Sequence, residues 1–172
     1  MENTFEKNNY IYSIKKYLAT YFKTEAKTID QMLKNELATS FLLIWPIFEQ
    51  EFFGGFCKIN IIEKFSKDYE SFFDNEEIFQ HFYLRYQDKN NYRHLIHEQK
   101  YDLFEEILKK PLNEITNDEK LLFVTYVIYR YRNNIFHGNK GIESWAKYGK
   151  QIAYCIEFMT SILEKSNVQD TN

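Results

Sequence analysis

The sequence predicts an all-α protein, a bundle of five to seven helices, and three observations predict it. Breakers are scarce: five glycines and two prolines stand in 172 residues, where average usage gives roughly 12 and 9. No segment sustains the period-two alternation of a half-buried strand. Two capping boxes, Thr28-Ile-Asp-Gln31 and Thr116-Asn-Asp-Glu119, each precede apolar residues at helical spacing.

Taken in order, a first helix is expected over about residues 4–22. The Thr28 box opens a second, with Met32, Leu33, Leu37, Phe41, Ile44, Trp45, Phe48 and Phe52 at helical spacing. Its middle is apolar nearly all round, so it should be central or at an interface. Gly54-Gly55 ends it, and Pro46 is expected to bend it. Shorter helices are expected over about residues 59–73, 76–86 and 101–109, the last closed by Pro111. DKNNYR, from Asp88, reads as a loop. The Thr116 box opens a long helix with Leu121, Val124, Ile128, Tyr131 and Ile135 on one face, stopped by Gly138 and Gly141. A final helix is expected over about residues 143–164, and from about residue 166 the chain reads as a frayed tail. With no repeat or linker, residues 1–172 read as one domain.

The longest apolar run, Phe41 to Phe48, is far short of the ~20 residues a membrane span needs. The polar start, MENTFEKNN, is unlike a signal peptide. Cys57 and Cys155 have no paired spacing, which predicts reduced, buried thiols in a cytoplasmic protein. A net charge of -3 excludes a generally basic nucleic-acid coat. Charge is uneven, however. From Asp118 to Gln151 six basic residues face three acids, a local +3 that leaves -6 for the remainder. Such a patch suits a polyanion.

The stretch RYRNNIFHGNKG, Arg130 to Gly141, lies in that patch. The chain has 18 lysines but only four arginines, and two of the four stand here. Arginine is needed where a flat, permanently charged fork grips phosphate or carboxylate. On a regular helix Arg130, Asn133 and His137 share one face, with Arg132 about a third of a turn away. Imidazole, carboxamide and guanidinium together suit a phosphodiester. Histidine exchanges protons near neutral pH, arginine neutralises charge on a five-coordinate phosphorus, and asparagine orients the histidine or hydrogen-bonds a phosphate oxygen. RNA carries its own nucleophile, the 2′-hydroxyl, so no metal or other cofactor is called for.

Arg132-Asn133-Asn134-Ile135-Phe136-His137-Gly138 resembles the R-N-x-x-x-H signature, with its following glycine, of the HEPN superfamily. From this composition the spaced triplet has about 0.008 chance occurrences per chain. The resemblance implies a small helical bundle acting as a metal-independent endoribonuclease, a bacterial toxin or anti-phage defence component. Arg132 and His137 match the catalytic pair, and Asn133 matches the polar residue after the arginine. It implies a homodimer with a composite active site, an RNA substrate, and control by an antitoxin or regulator protein. The alternative is a catalytically silent module that binds RNA, nucleotide or a partner protein; a plain helical interaction protein is the third reading. In members paired with nucleotidyltransferase antitoxins a tyrosine stands two residues after the histidine. Here that residue is Asn139, so AMP transfer onto it does not carry over.

Other residues are weighed beside the motif. Glu49, and less so Glu51, could lie near the site as an acidic group from an early helix, against a solvated helix end. Arg130 is a second auxiliary, and Lys140 and Arg93 are candidate RNA contacts. His94 and His97, three apart, have no third metal ligand of the right type nearby except Glu98 or the distant His81, so no metal site is expected. Tyr126, Tyr129 and Tyr131 suit core packing better than base stacking.

Overall fold

The computed structural model describes residues 15–20, 23, 25, 27, 29–30, 34, 36–96, 100–136 and 148–169. Among these the protein is all-helical. Residues 15–20 are helical, and seven further α-helices follow: α1 (Glu36–Phe53), α2 (Ile59–Asp68), α3 (Glu76–Gln87), α4 (Lys89–Ile96), α5 (Asp102–Lys109), α6 (Asn117–Phe136) and α7 (Gly149–Gln169). Short 3-10 turns, Glu70–Phe72 and Leu112–Glu114, join α2 to α3 and α5 to α6. The expected first helix and the Thr28 capping box lie largely outside the described residues.

The centre of the bundle is α6. The sequence places one apolar face on it, but Leu121, Leu122, Phe123, Val124, Thr125, Tyr126, Val127 and Ile128 are all buried. Its charges are confined to the first turn, where Asp118, Glu119 and Lys120 stand, and to the turns after Ile128. A helix without a charged face in its middle must be covered on every side. Accordingly α2, α3, α4, α5, α7 and the first 3-10 turn all lie against it. Aromatic rings fill the seams: Phe104 stacks on Phe123 at 4.2 Å, and Phe79 meets Phe123 edge-on at 5.5 Å. Tyr126 and Tyr131 are buried and Tyr129 packs against the core, as the packing reading expects. Cys57 and Cys155 are buried free thiols.

The helix boundaries follow local chemistry. At the start of α6 the Thr116 backbone N–H donates to Glu119 (3.2 Å), half of a capping box. The Thr116 hydroxyl donates to the Asp118 carboxylate instead of receiving a backbone N–H. At the end of α1 Gly54 and Gly55 take φ of 62° and 80°, which favour glycine. The Gly55 N–H reaches back to the Glu49 carbonyl at 3.1 Å. Pro46 lies inside α1.

Two expectations are corrected. DKNNYR is not a loop: Asp88 accepts the backbone N–H groups of Asn90 (3.0 Å) and Asn91 (2.8 Å) and starts α4. The asparagine pair is therefore a helical first turn under an aspartate cap. The tail from residue 166 is helical to Gln169, because Ser166 is buried and its hydroxyl donates to Glu51 at 3.0 Å. The helix α1 is not central. Phe41, Trp45, Phe48 and Phe53 point inward, mainly towards α7, whereas Leu42, Leu43 and Ile47 are 43%, 67% and 57% exposed.

The Asp88 cap gives a direct prediction. Asp88→Ala removes the acceptor of two backbone N–H groups and should cost about 1 kcal/mol in urea unfolding, with the fold retained.

Candidate functional site

The last turns of α6 divide the motif between two neighbours. One side meets the end of α4. Arg130, only 4% exposed, donates Nε to the Leu95 carbonyl (3.2 Å) and Nη2 to the Ile96 carbonyl (2.9 Å). Asn134, one turn on and also buried, sends Nδ2 to the same Leu95 carbonyl at 3.4 Å. Carbonyls at a helix C-terminus have no intrahelical partners and carry partial negative charge. A guanidinium fork satisfies them and is itself neutralised. The second asparagine of the motif and the first arginine of RYR thus pin α4 to α6.

The other side meets α1. Arg132 is half-buried, with Nη1 donating to Asn133 Oδ1 at 3.0 Å. Its guanidinium lies over the Trp45 ring, 6.0 Å from the centroid. Trp45 is 2% exposed, and its indole N–H donates to Glu49 Oε2 at 3.1 Å. The other oxygen, Glu49 Oε1, accepts the Cys57 backbone N–H at 3.1 Å. The backbone turn after α1 therefore fixes Glu49, Glu49 fixes the indole, and the indole lies under Arg132. Burial pushes the Cys57 thiol far up, the Glu49 charge adds to this, and the Arg132 charge opposes it. Cys57 is a packed neutral thiol between the two charges.

The predicted site residues thus fall into groups. Arg132 and Asn133 are together, and Glu49 is beside them through Trp45. Its carboxylate is half-buried and bonded at both oxygens, not a plainly solvated helix end. Arg130 is not with Arg132: it is held on the α4 carbonyls. Arg93 and His94 are exposed on α4. Glu51 accepts from Ser166 near the far end of α7. His137, Asn139 and Lys140, with Gly138 and Gly141, lie outside the described residues, as does His97. Among the described residues no group of three or more metal-ligating side chains is assembled. Trp45 is the residue that sequence reasoning missed as part of the site. Its signal was its place one turn before Glu49, at i, i+4, in a chain with two tryptophans.

The two arginines should behave oppositely. Arg130→Met strands two buried carbonyls and should lower stability by about 2–4 kcal/mol. Arg132→Met, at a half-buried position, should lower it by less than about 1 kcal/mol. Urea denaturation of both variants reads the difference, and equal losses would show that the buried grip is not the stronger one. No family model matches the chain, and no curated protein or solved structure matches it either.

Proposed function

We propose that this chain is a HEPN-type endoribonuclease that cleaves RNA without a metal. The observation that carries the reading is the division of labour along the end of α6. Arg130 and Asn134 are used up in holding α4. Arg132 is kept half-exposed, supported at its edge by Asn133 and at its face by Trp45. A guanidinium so fixed is preorganised to meet a phosphate without reorganising. In the chain His137 follows five residues after it.

The chemistry is in-line attack of the ribose 2′-oxygen on phosphorus. His137 acts as general base or acid. The proton leaves the 2′-hydroxyl, the bond from phosphorus to the 5′-oxygen breaks, and that oxygen is protonated. The products are a 2′,3′-cyclic phosphate and a 5′-hydroxyl. Arg132 carries the growing charge on the equatorial oxygens. One chain offers one motif, so base and acid come from two copies in a homodimer. The open aliphatic side of α1, with Leu42, Leu43 and Ile47 exposed, supports that assembly. The substrate class is RNA, and the biological setting is a bacterial toxin or defence protein held in check by a regulator. No helix among the described residues is long and apolar enough to cross a membrane.

The test is cleavage of total RNA and tRNA in EDTA, with His137→Ala beside the wild type. Cyclic-phosphate ends from the wild type alone are expected. Absence of cleavage across added partner extracts and RNA classes would favour the silent binding module instead. Arg132→Lys keeps the charge but loses the fork and the stacking plane, and should lose most of the activity, roughly 100-fold. Near-normal turnover by it would remove the phosphate-gripping role. The double variant Leu43→Glu, Ile47→Glu should be monomeric in light scattering, folded and inactive. A dimer of unchanged mass would move the interface elsewhere.

A further inference from the structure

A second set of cationic side chains gathers between α3 and the start of α7, away from Arg132. Glu77, His81 and Arg85 form a row four residues apart on α3, and Lys150 and Tyr154 form one on α7. The rows meet. The His81 ring lies 4.8 Å from the Tyr154 ring, and Lys150 Nζ lies 5.3 Å from the same ring. The Arg85 guanidinium lies over Tyr148, 5.6 Å from its centroid, and its charge bears on the Tyr131 hydroxyl of α6. Tyr154 turns its hydroxyl to Glu77 at 2.9 Å. That carboxylate bears on His81 against two cations, Lys150 and Arg85.

Two atoms of the cluster have unmet bonding capacity. His81 Nε2 and Arg85 Nε are buried without a hydrogen-bond partner. Such groups cost free energy unless something supplies the missing partner. Cations gathered from two helices repel, and an anion between them reverses the sign of that interaction. Arg85 is one of only four arginines, and a guanidinium lying on a tyrosine ring presents its donors at its edge. Lys150 is exposed and open to solvent.

We propose that His81, Arg85 and Lys150 form a binding site for a phosphate group, separate from the Arg132 motif. Tetrahedral oxygens can meet donors arriving from two helices and a ring, which a planar carboxylate does less well. The phosphate belongs either to a nucleic-acid backbone or to a free nucleotide. The site does not depend on the ribonuclease reading, and its test reads no cleavage.

Without a ligand, burial and the charges of Lys150 and Arg85 hold the His81 pKa below 6.5. The folded state then binds fewer protons than the unfolded one as pH falls through 6.5. Stability should therefore be full above that pH and decline on acidification, and His81→Asn should flatten the decline. A bound phosphate should raise the His81 midpoint by roughly one pH unit. The experiment is an NMR titration of the four histidines at constant ionic strength, with inorganic phosphate against chloride and with His81 assigned by His81→Asn. The expected result is an upward midpoint shift of His81 in the wild type that is lost in Lys150→Gln, a surface change that spares the fold. An unmoved His81, or an equal shift in Lys150→Gln, overturns the proposal. Oligodeoxythymidylate, which lacks the 2′-hydroxyl, and AMP are then compared, and the one acting at lower concentration identifies the source of the phosphate.

Discussion

Burial of α6 on every side between Leu121 and Ile128 is the constraint on which the rest depends. A helix so enclosed has no room for charge until it nears the edge of the bundle. Arg130 is the first charge it meets there, and it is still buried. An unpaired guanidinium at that depth would cost several kcal/mol. The fold meets this by ending α4 against it, so that two carbonyls lacking helical partners become its acceptors. Asn134 adds a third contact to the same end. The packing of α4 on α6 is thereby fixed by a polar clamp at the rim of an apolar core, and the Asp88 cap secures the opposite end of α4.

Two residues further on, the same helix serves a different end. Arg132 points at α1, and its contacts include the Trp45 ring and the neighbouring Asn133 carboxamide. Glu49 reaches the same place through the indole N–H. The ring and the carboxamide orient the guanidinium, which lysine on a flexible stem would not allow. Its precision is inherited from the backbone: the glycine turn after α1 brings the Cys57 N–H to Glu49, and Glu49 sets the indole.

The fold was legible wherever its causes were local. Breaker scarcity, the Thr116 box and the Gly54-Gly55 stop read correctly because each acts within a turn of itself. DKNNYR misled because asparagines are common to loops and to capped first turns, and only the Asp88 contacts separate the two. The role of Arg130 was out of reach for another reason. Its acceptors, Leu95 and Ile96, lie 35 and 34 residues back, and backbone carbonyls leave no mark in a sequence. Arg132 and Asn133 were legible as a pair from their adjacency. Trp45 was hidden in a run of apolar residues where any large side chain would satisfy the pattern.

The use of the aromatic residues bears on how this chain would meet a second copy. An aromatic surplus suggests interface material, but among the described residues the bundle spends most of its phenylalanines internally. Phe41, Phe48, Phe79, Phe82, Phe104, Phe123 and Phe158 are all fully buried. What α1 leaves open is aliphatic, at Leu42, Leu43 and Ile47. Branched aliphatic side chains on one helix face favour packing against a matching helix face over the pocket-and-anchor recognition that tyrosine and tryptophan give. A twofold pairing of α1 with its copy satisfies that preference with one surface. The inner side of the same helix carries Trp45 and Glu49, so the element that would join two copies is also the one that orients Arg132. If the chain pairs as proposed, assembly and the setting of Arg132 would be linked through a single helix, and a change at the outer face would have a short mechanical path to the guanidinium.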